Sequence, residues 1–230
     1  MKIIVISDIH SNLDALHAVV SNLPKYDELW CLGDIVGYGP QPNEVIESLQ
    51  QLAPTTVLMG NHDQAVVTGD VEGFSSYAAK VVKWTRGVIR EANLGYLAAL
   101  KPSARITREG RTTALFHGSP REPLTEYVFP GMTEKVGSGI MNMAAAQILL
   151  LGHTHMPMMY TFNGNVLANP GSVGQPRDGD PRASFALLTI TQTEFNFDIL
   201  RVEYDVGAVA DKIIKNGLPS FLAERLYMGM

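Results

Sequence analysis

Ile3-Ile4-Val5-Ile6-Ser7-Asp8-Ile9-His10 joins a continuous apolar run to a carboxylate and an imidazole that lie two residues apart. An apolar run without polar interruption is typical of a strand that is covered on both faces. Two further apolar runs, 29–32 and 56–59, follow helical patterns at 13–23 and 42–52. Strands that alternate with helices form a parallel sheet. The first third of the chain therefore predicts an α/β fold.

The second half of the chain is dominated by paired strands. Glu109-Gly110 and Asn163-Gly164 are turn signals that each separate two β-like segments. A parallel half followed by a hairpin-rich half predicts a four-layer α-β-β-α sandwich, in which two mixed β-sheets are flanked by helices. We expect one domain over 1–230, with an ordered loop at about 119–131 that overhangs the functional site. The other predicted elements are a helical stretch at 75–99 that breaks near Asn93-Leu94-Gly95, strands at 104–107, 112–116, 159–162, 166–168, 184–191 and 194–204, and a helix at 206–215.

Histidine, aspartate, asparagine and glycine recur together at the ends of the predicted strands. Of the six histidines, only His17 lies outside such a cluster. The carboxyl ends of parallel strands meet at one edge of a sheet, where ligands bind. Asp, Asn and His donors without a thiolate favour Mn, Fe, Zn, Ni or Co over Mg or Ca, and of these we favour manganese. The clusters are Ser7-Asp8-Ile9-His10, Gly33-Asp34, Gly60-Asn61-His62-Asp63, His117-Gly118-Ser119 and Gly152-His153-Thr154-His155.

The composition argues against several classes of function. A net charge of −5 with scattered Lys and Arg disfavours stable binding to duplex DNA, which depends on arrays of cations. Cys31, the only cysteine, lies in an apolar run and is interpreted as a buried side chain. The first apolar run is interrupted by Ser7-Asp8, and the run before Gly152 is also too short for a membrane span or a signal peptide. We therefore predict a cytoplasmic location without membrane contact.

The ordered clusters resemble the signature of the calcineurin-like metallophosphoesterase family, which reads D-x-H, G-D, G-N-H-[DE], H and G-H-x-H. All five parts occur here in that order, from Asp8 to His155. The resemblance implies the metallophosphoesterase fold and two metal ions that share Asp34. It implies that one ion is bound by Asp8, His10, Asp34 and His155, and the other by Asp34, Asn61, His117 and His153.

Two neighbouring dications account for the hydrolysis of phosphate esters at such a site. Ions roughly 3.5–4 Å apart share a hydroxide, generate it near neutral pH, and bind the phosphoryl oxygens during in-line attack. With two carboxylates and one hydroxide the core remains cationic, so an acidic protein still attracts phosphate. The resemblance implies that His62 is the catalytic histidine. An imidazole oriented by a carboxylate can protonate the departing oxygen, and Asp63 is the candidate for that carboxylate.

The loops beside the clusters differ from those of the protein phosphatases in this family. Those enzymes continue G-D as G-D-x-V-D-R-G, whereas this chain has Gly37-Tyr38-Gly39 and therefore lacks the second aspartate and the arginine. Protein serine/threonine phosphatase activity is for that reason a disfavoured alternative. The stretches 37–40, 117–122 and 169–177 resemble instead the small bacterial and archaeal phosphodiesterases and the diadenosine-tetraphosphatase-related branch.

Candidate substrate contacts lie in the same loops. Arg121, Arg177 and Arg182 are candidates to hold a second phosphate or a leaving group. Tyr38 is a candidate to stack on a nucleobase. We predict hydrolysis of small phosphodiesters or nucleotides, with diadenosine polyphosphate hydrolysis as the alternative that the loop at 119–131 favours. A DNA nuclease is disfavoured by the charge. A non-catalytic scaffold, as in a retromer subunit of this family, is disfavoured because the chain retains every ligand and the catalytic histidine.

Overall fold

The three apolar runs of the first third form strands that are separated by helices. The computed structural model describes the backbone of residues 1–230 and the side chains outside 133–135. The strands are β1 (Lys2–Ile6), β2 (Glu28–Cys31), β3 (Thr56–Val57), β4 (Ser103–Arg108), β5 (Arg111–Phe116), β6 (Ile148–Leu150), β7 (Met158–Phe162), β8 (Asn165–Asn169), β9 (Ala183–Ile190) and β10 (Phe195–Val202). The α-helices are α1 (Leu13–Ser21), α2 (Pro42–Gln51), α3 (Asn61–Thr68), α4 (Ser76–Val88), α5 (Glu91–Ala99), α6 (Thr133–Ala144), α7 (Val206–Lys215) and α8 (Ser220–Met228).

The strands form two mixed sheets of five strands each. The first sheet has the order β10-β9-β1-β2-β3, with β1, β2 and β3 parallel and β9 antiparallel to both of its neighbours. The second has the order β4-β5-β6-β8-β7, with β5, β6 and β8 parallel and β4 and β7 antiparallel to their neighbours. The hairpins predicted at Glu109-Gly110 and Asn163-Gly164 are the β4–β5 and β7–β8 pairs.

Alternation of side chains along β1 explains how the layers stack. Ile3 and Val5 lie in the apolar cluster between the two sheets, together with Leu150 of β6. Ile4 and Ile6 project to the opposite face and pack in a cluster with residues of α1 and α2. Successive side chains of a strand point to opposite faces, so a strand that is apolar on both faces, as β1 is from Ile3 to Ile6, belongs in the interior of a layered fold.

The fourth layer is formed by α6 on the outer face of the second sheet. Ile140 and Met141 of α6 pack against Ala114, Leu149 and Leu167 of β5, β6 and β8. The predicted four-layer arrangement of two mixed sheets between helices is therefore confirmed.

The helical stretch predicted at 75–99 divides earlier than expected. Ile89 and Arg90 have extended backbone and separate α4 from α5, whereas Asn93 and Gly95 lie inside α5. Asn93 is buried, and its amide donates a hydrogen bond to Asn43 Oδ1 of α2 at 3.0 Å, which offsets the cost of burying it. The sequence patterns also did not predict α3, α6 and α8.

In the described part of the chain, no helix combines the length and apolarity that crossing a bilayer requires.

Candidate metal centre

The first sheet brings its polar clusters to the carboxyl ends of its parallel strands. Asp8 and His10 follow β1, Asp34 follows β2, and Asn61 begins α3 beyond β3. The loops are joined by backbone hydrogen bonds, since Asp8 N donates to Gly33 O and His10 N donates to Asp34 O, each at 3.0 Å. Short apolar strands followed at once by polar residues therefore align three segments of the chain at one edge.

The second sheet supplies the remaining histidines at the same place. His117 follows β5, and His153 and His155 follow β6. The backbone N–H of His153 donates to Asp8 Oδ2 at 3.2 Å. The His117 Nδ1 atom lies 2.9 Å from the carbonyl oxygen of Leu32. Side chains that are 145 residues apart in the chain thus meet because loops from the two sheets are hydrogen-bonded to each other.

Many of these residues adopt left-handed backbone conformations. Positive φ is uncommon outside glycine, and such conformations concentrate at functional sites. The values are 54° for Asp8, 49° for His10, 52° for Asp34, 67° for His153 and 59° for His155.

The potential ligand atoms form two groups that share one carboxylate. The first group consists of Asp8, His10, Asp34 and His155, and the second of Asp34, His117 and His153. Within each group the ligand atoms all lie within 4.8 Å of one another. Asn61 Oδ1 lies 3.1 Å from His117 Nε2, which brings the amide to the second group. The structure thus brings together all seven residues that the sequence suggests as ligands.

Backbone carbonyls orient several of the imidazoles. The Nδ1 atom of His10 lies 3.0 Å from Val36 O, and that of His155 lies 2.6 Å from Gln175 O. A histidine that donates one ring N–H to a carbonyl presents its other nitrogen as a metal ligand. His153 has the opposite arrangement, with Nε2 at 3.3 Å from Thr125 O.

The two buried carboxylates are ionised and each has a free oxygen. Burial alone would raise the pKa of Asp34, but His117 holds it well below its usual value; His155 likewise lowers the pKa of Asp8 against the effect of burial. Asp34 Oδ2 and Asp8 Oδ1 accept no hydrogen bond from the described residues. Asp34 Oδ2 lies 3.5 Å from His10 Nε2 and 3.4 Å from His117 Nε2. An unpaired buried carboxylate oxygen is costly, so this donor set fits divalent cations.

Most of the imidazoles are neutral, which is the state that ligates a metal. Burial lowers the pKa of His10 well below its usual value, and lowers the pKa of His153 to about 3 and that of His62 to about 4. His117 is the exception. Burial would lower its pKa, but the nearby charge of Asp34 raises the pKa to about 9. A cation bound by Asp34 would displace that proton.

His62 is enclosed by aromatic rings beside the ligands. Its ring centroid lies 4.4 Å from that of Tyr38 and 4.9 Å from that of Phe74. Its Nδ1 atom is buried and has no hydrogen-bond partner among the described residues. Gly37, at φ 101°, passes so close that a Cβ there would lie 2.5 Å from this atom. The orientation of the imidazole therefore comes from packing.

The hydrogen bonds of Asp63 contradict its expected role as the carboxylate that orients His62. Asp63 Oδ1 accepts from Val36 N and Asp63 Oδ2 accepts from Gly60 N, each at 3.0 Å. Both oxygens are thus occupied by backbone N–H groups. Burial and the nearby charge of Asp34 raise the pKa of Asp63 to about 7. Asp63 caps the start of α3 and anchors the loop after β2, so it acts on His62 only through the backbone.

A cavity of about 410 Å³ opens beside the ligand cluster. Asn61, His62 and His153 line it, and so do Thr125 and Tyr127 from the loop predicted at 119–131. The ring of Tyr127 stacks on that of His153, with centroids 3.8 Å apart. The loop therefore forms one wall of the cavity.

Only some of the predicted substrate contacts reach this cavity. Tyr38 and Arg177 line it, whereas Arg121 and Arg182 are not among its lining residues. Arg121 is bound to Glu126 within its own loop, and Arg182 pairs with Asp180 at 2.6 Å. These two arginines are paired with neighbouring carboxylates outside the cavity lining, so their expected contact with substrate stays a prediction.

The sequence patterns do not point to several of the cavity residues, among them Phe74, Tyr77 and Arg225. Phe74 and Tyr77 come from the start of α4, and Arg225 comes from α8. None of them lies near a polar cluster in the sequence. The Ser75 cap of α4 was the only local signal, because its side chain accepts a hydrogen bond from Ala78 N.

Comparison with other proteins places the whole chain among phosphoesterases. A crystal structure of a metallophosphoesterase from Sphaerobacter thermophilus superposes with a TM-score of 0.85 at 34% identity, over 100% of this chain and 99% of that one. An uncharacterized protein of Methanocaldococcus jannaschii is 37% identical over 99% of this chain and 98% of its own length. The symmetrical bis(5'-nucleosyl)-tetraphosphatase of Yersinia enterocolitica is 36% identical, but over only 67 residues, which are 27% of this chain and 23% of that protein.

A family model extends this relationship to most of the sequence. The calcineurin-like phosphoesterase superfamily domain matches residues 1–193. That range contains every donor of the two groups around Asp34. The chain accordingly belongs to the calcineurin-like phosphoesterase superfamily and is a phosphoester hydrolase.

Proposed function

We propose that this chain hydrolyses small phosphodiesters or nucleotides with two divalent transition-metal ions, of which manganese is favoured. The observation that carries the proposal is the position of Asp34 Oδ2, at 3.5 Å from His10 Nε2 and 3.4 Å from His117 Nε2. One carboxylate oxygen is directed toward both donor groups. Ions held there would lower the pKa of water and neutralise charge on the phosphoryl oxygens.

His62 is the proposed catalytic residue because it lines the cavity beside the donors. Burial lowers its pKa to about 4, so the imidazole is neutral near neutral pH. A neutral imidazole N–H donates a hydrogen bond to a phosphoryl oxygen or to the departing oxygen. Tyr38 and Phe74 hold the ring in place, and Tyr127 covers His153 and reduces the access of water.

The test is to remove metals with a chelator and to restore Mn, Fe, Ni, Co, Zn or Mg singly. Each form is assayed with bis(p-nitrophenyl) phosphate, p-nitrophenyl phosphate and diadenosine tetraphosphate. We expect hydrolysis to depend on the added metal, with two ions bound per chain by elemental analysis. A chain that hydrolyses these esters equally well after metal removal would contradict the proposal.

Asp34→Asn supplies the decisive variant for the same assay. It replaces the shared carboxylate by a neutral amide, so both ions and the activity are expected to be lost. Asp211→Asn is the matched control, since Asp211 is exposed on α7 and should retain metal and activity.

Hydrolysis of diadenosine polyphosphates is the second candidate. It is supported by the partial similarity to the Yersinia enterocolitica tetraphosphatase and by the aromatic walls of the cavity. Product analysis separates the candidates. Two ADP, or AMP with ATP, from diadenosine tetraphosphate would favour it, whereas activity confined to simple diesters would exclude it.

A further inference from the structure

Two arginines in the cavity form no ion pair with an acidic side chain among the described residues, a property that they share with Arg86, Arg105 and Arg111 outside it. Arg177 Nη2 donates to Gln175 Oε1 at 3.0 Å, and its Nε has no hydrogen-bond partner among the described residues. Arg225 Nε donates to the main-chain oxygen of Met230. By contrast, several arginines outside the cavity are each paired with an acidic side chain: Arg90, Arg108, Arg121, Arg182 and Arg201.

The two cavity arginines repel each other. Burial lowers the pKa of Arg225, and the positive charge of Arg177 lowers it further. Two cations in a partly buried space are stabilised by an anion that lies between them. Glu72, an exposed residue at the rim, is the acidic side chain among the lining residues. It forms no ion pair with either arginine within the described side chains, so the cavity itself does not neutralise them.

Both arginines lie against aromatic rings of the cavity and its surroundings. The Tyr38 ring packs 4.6 Å from the ring of His10, and the Arg177 guanidinium lies 5.6 Å from that same tyrosine ring. Arg225 lies 5.5 Å from the ring of Phe221, which in turn packs 5.2 Å from the cavity residue Tyr77. Asn61 and His153 of the ligand cluster line the same cavity as both arginines, so a phosphate held at the cluster would share the cavity with these cations.

The cavity also offers a surface for a flat ring. Phe74 and Tyr77 line it on the side of α4, and Tyr127 lines it on the side of the loop after β5. Aromatic side chains stack on any of the nucleobases, because every base has a flat π-face. A cavity of about 410 Å³ is within the range of sites for small organic ligands.

We propose that Arg177 and Arg225 bind a second phosphate next to the one that is hydrolysed, while Phe74 and Tyr77 contact the base. The substrate class is then a nucleoside diphosphate or polyphosphate, including its esters, in preference to a simple diester. This inference rests on the proposed function, because it takes the scissile phosphate to lie at the ligand cluster. It assigns a role in specificity to α8, a helix that follows the matched family domain.

The test compares the binding of α,β-methylene ADP and AMP to the manganese-loaded full chain by calorimetry. Both ligands carry the same base, and they differ in the second phosphate. We expect the parent to bind the diphosphate more tightly than AMP. Arg225→Met should reduce that preference about tenfold to a hundredfold, and Arg225→Lys should recover part of it because the charge returns. The ratio of the two affinities is informative even if part of the variant is unfolded, because unfolding lowers the apparent affinity for both ligands by the same factor.

Arg90→Met is the matched control, because Arg90 is 60% exposed and pairs with Glu47. It should keep the parental ratio. A parent without preference for the diphosphate, or an Arg225→Met variant with the parental ratio, would overturn the inference. Hydrolysis of bis(p-nitrophenyl) phosphate by the parent is measured alongside. If the parent hydrolyses this diester but shows no preference for the diphosphate, or if Arg225→Met keeps the parental ratio, only the inference is rejected, whereas absence of metal-dependent hydrolysis in the parent rejects the proposed function.

Discussion

At the residue scale, His62 shows how a side chain can be positioned without a polar partner. Tyr38 and Phe74 pack on its ring, and its Nδ1 accepts nothing from the described residues. We expect His62→Ala to lower kcat on a phosphodiester by about 10²–10⁴, the usual contribution of general acid or base catalysis. Metal content should stay at two ions per chain. Turnover at the parental rate would exclude His62 from the reaction.

Gly37 controls the same imidazole from the backbone. Its φ of 101° is accessible mainly to glycine, and a Cβ would lie 2.5 Å from His62 Nδ1. Gly37→Ala should cost about 1–3 kcal/mol of stability through backbone strain and should also slow turnover, because the ring must move. Gly110→Ala is the control. Its φ of 75° is also unfavourable for alanine, but no atom lies within 4 Å of the Cβ that alanine would add. Urea unfolding should therefore show a loss of stability, while kcat remains at the parental value.

Cys31 provides a prediction on reactivity. The side chain is 0% exposed, and burial raises the pKa of its thiol above the ordinary value. The thiolate is the reactive form, so the native protein should resist Ellman's reagent at mildly alkaline pH. In guanidinium chloride one thiol per chain should react. Rapid stoichiometric labelling of the native state would show that the strand around Cys31 opens easily.

The donors could be predicted from the sequence because each lies within a few residues of a strand end. Spacing such as Asp8-Ile9-His10 carries local information, and strand ends in a parallel sheet converge. Hydrogen-bond partners are not local. Asp63 could not be seen to bind Val36 N, nor Arg121 to be bound to Glu126, because loop conformation decides which group a side chain reaches.

At the element scale, α3 depends on one carboxylate at its first turn. Asp63 is 0% exposed and accepts from both Val36 N and Gly60 N. Asp63→Ala leaves two buried N–H groups unpaired and should cost about 2–4 kcal/mol in urea unfolding. Asp70→Ala is the matched control, because Asp70 accepts from Glu72 N at an exposed turn and should cost well under about 1 kcal/mol. Equal losses for both variants would refute this structural role.

The elements that the sequence predicts differ from those that it does not predict in where their stabilising contacts come from. The strands around Ile4 and Leu149 contain continuous apolar runs, Ile3 to Ile6 and Ile148 to Leu150, so composition alone identifies them. The helix α8 packs through Leu222 and Leu226 in a cluster that also contains Val209 of α7. That contact is tertiary, and the residues between the two helices gave no separate periodic signal. Long-range packing of this kind decides where Arg225 lies.

At the scale of the whole molecule, the ligands join the two sheets, in addition to the apolar contacts between them and the hydrogen bonds between their loops. Asp8 and Asp34 come from the first sheet, while His117, His153 and His155 come from the second. Ions that bind only the folded chain stabilise it in proportion to their affinity. Manganese at about a hundredfold above Kd should raise Tm by roughly 5–10 °C relative to the chelated protein. Asp34→Asn should abolish the rise, and a Tm that does not respond to metal in the parent would contradict this coupling.

The pairing of β9 with β1 has a consequence for biosynthesis. Val5 lies opposite Ala186, which is far later in the chain, so β1 acquires this neighbour only after the segment between the two strands has been made. Until then one edge of β1 is unpaired, which exposes an apolar template for aggregation. Assembly of the first sheet must therefore follow release of the distal segment from the ribosome, and the catalytic cluster at the end of β1 matures late. A nascent chain with this topology is an expected client of holding chaperones.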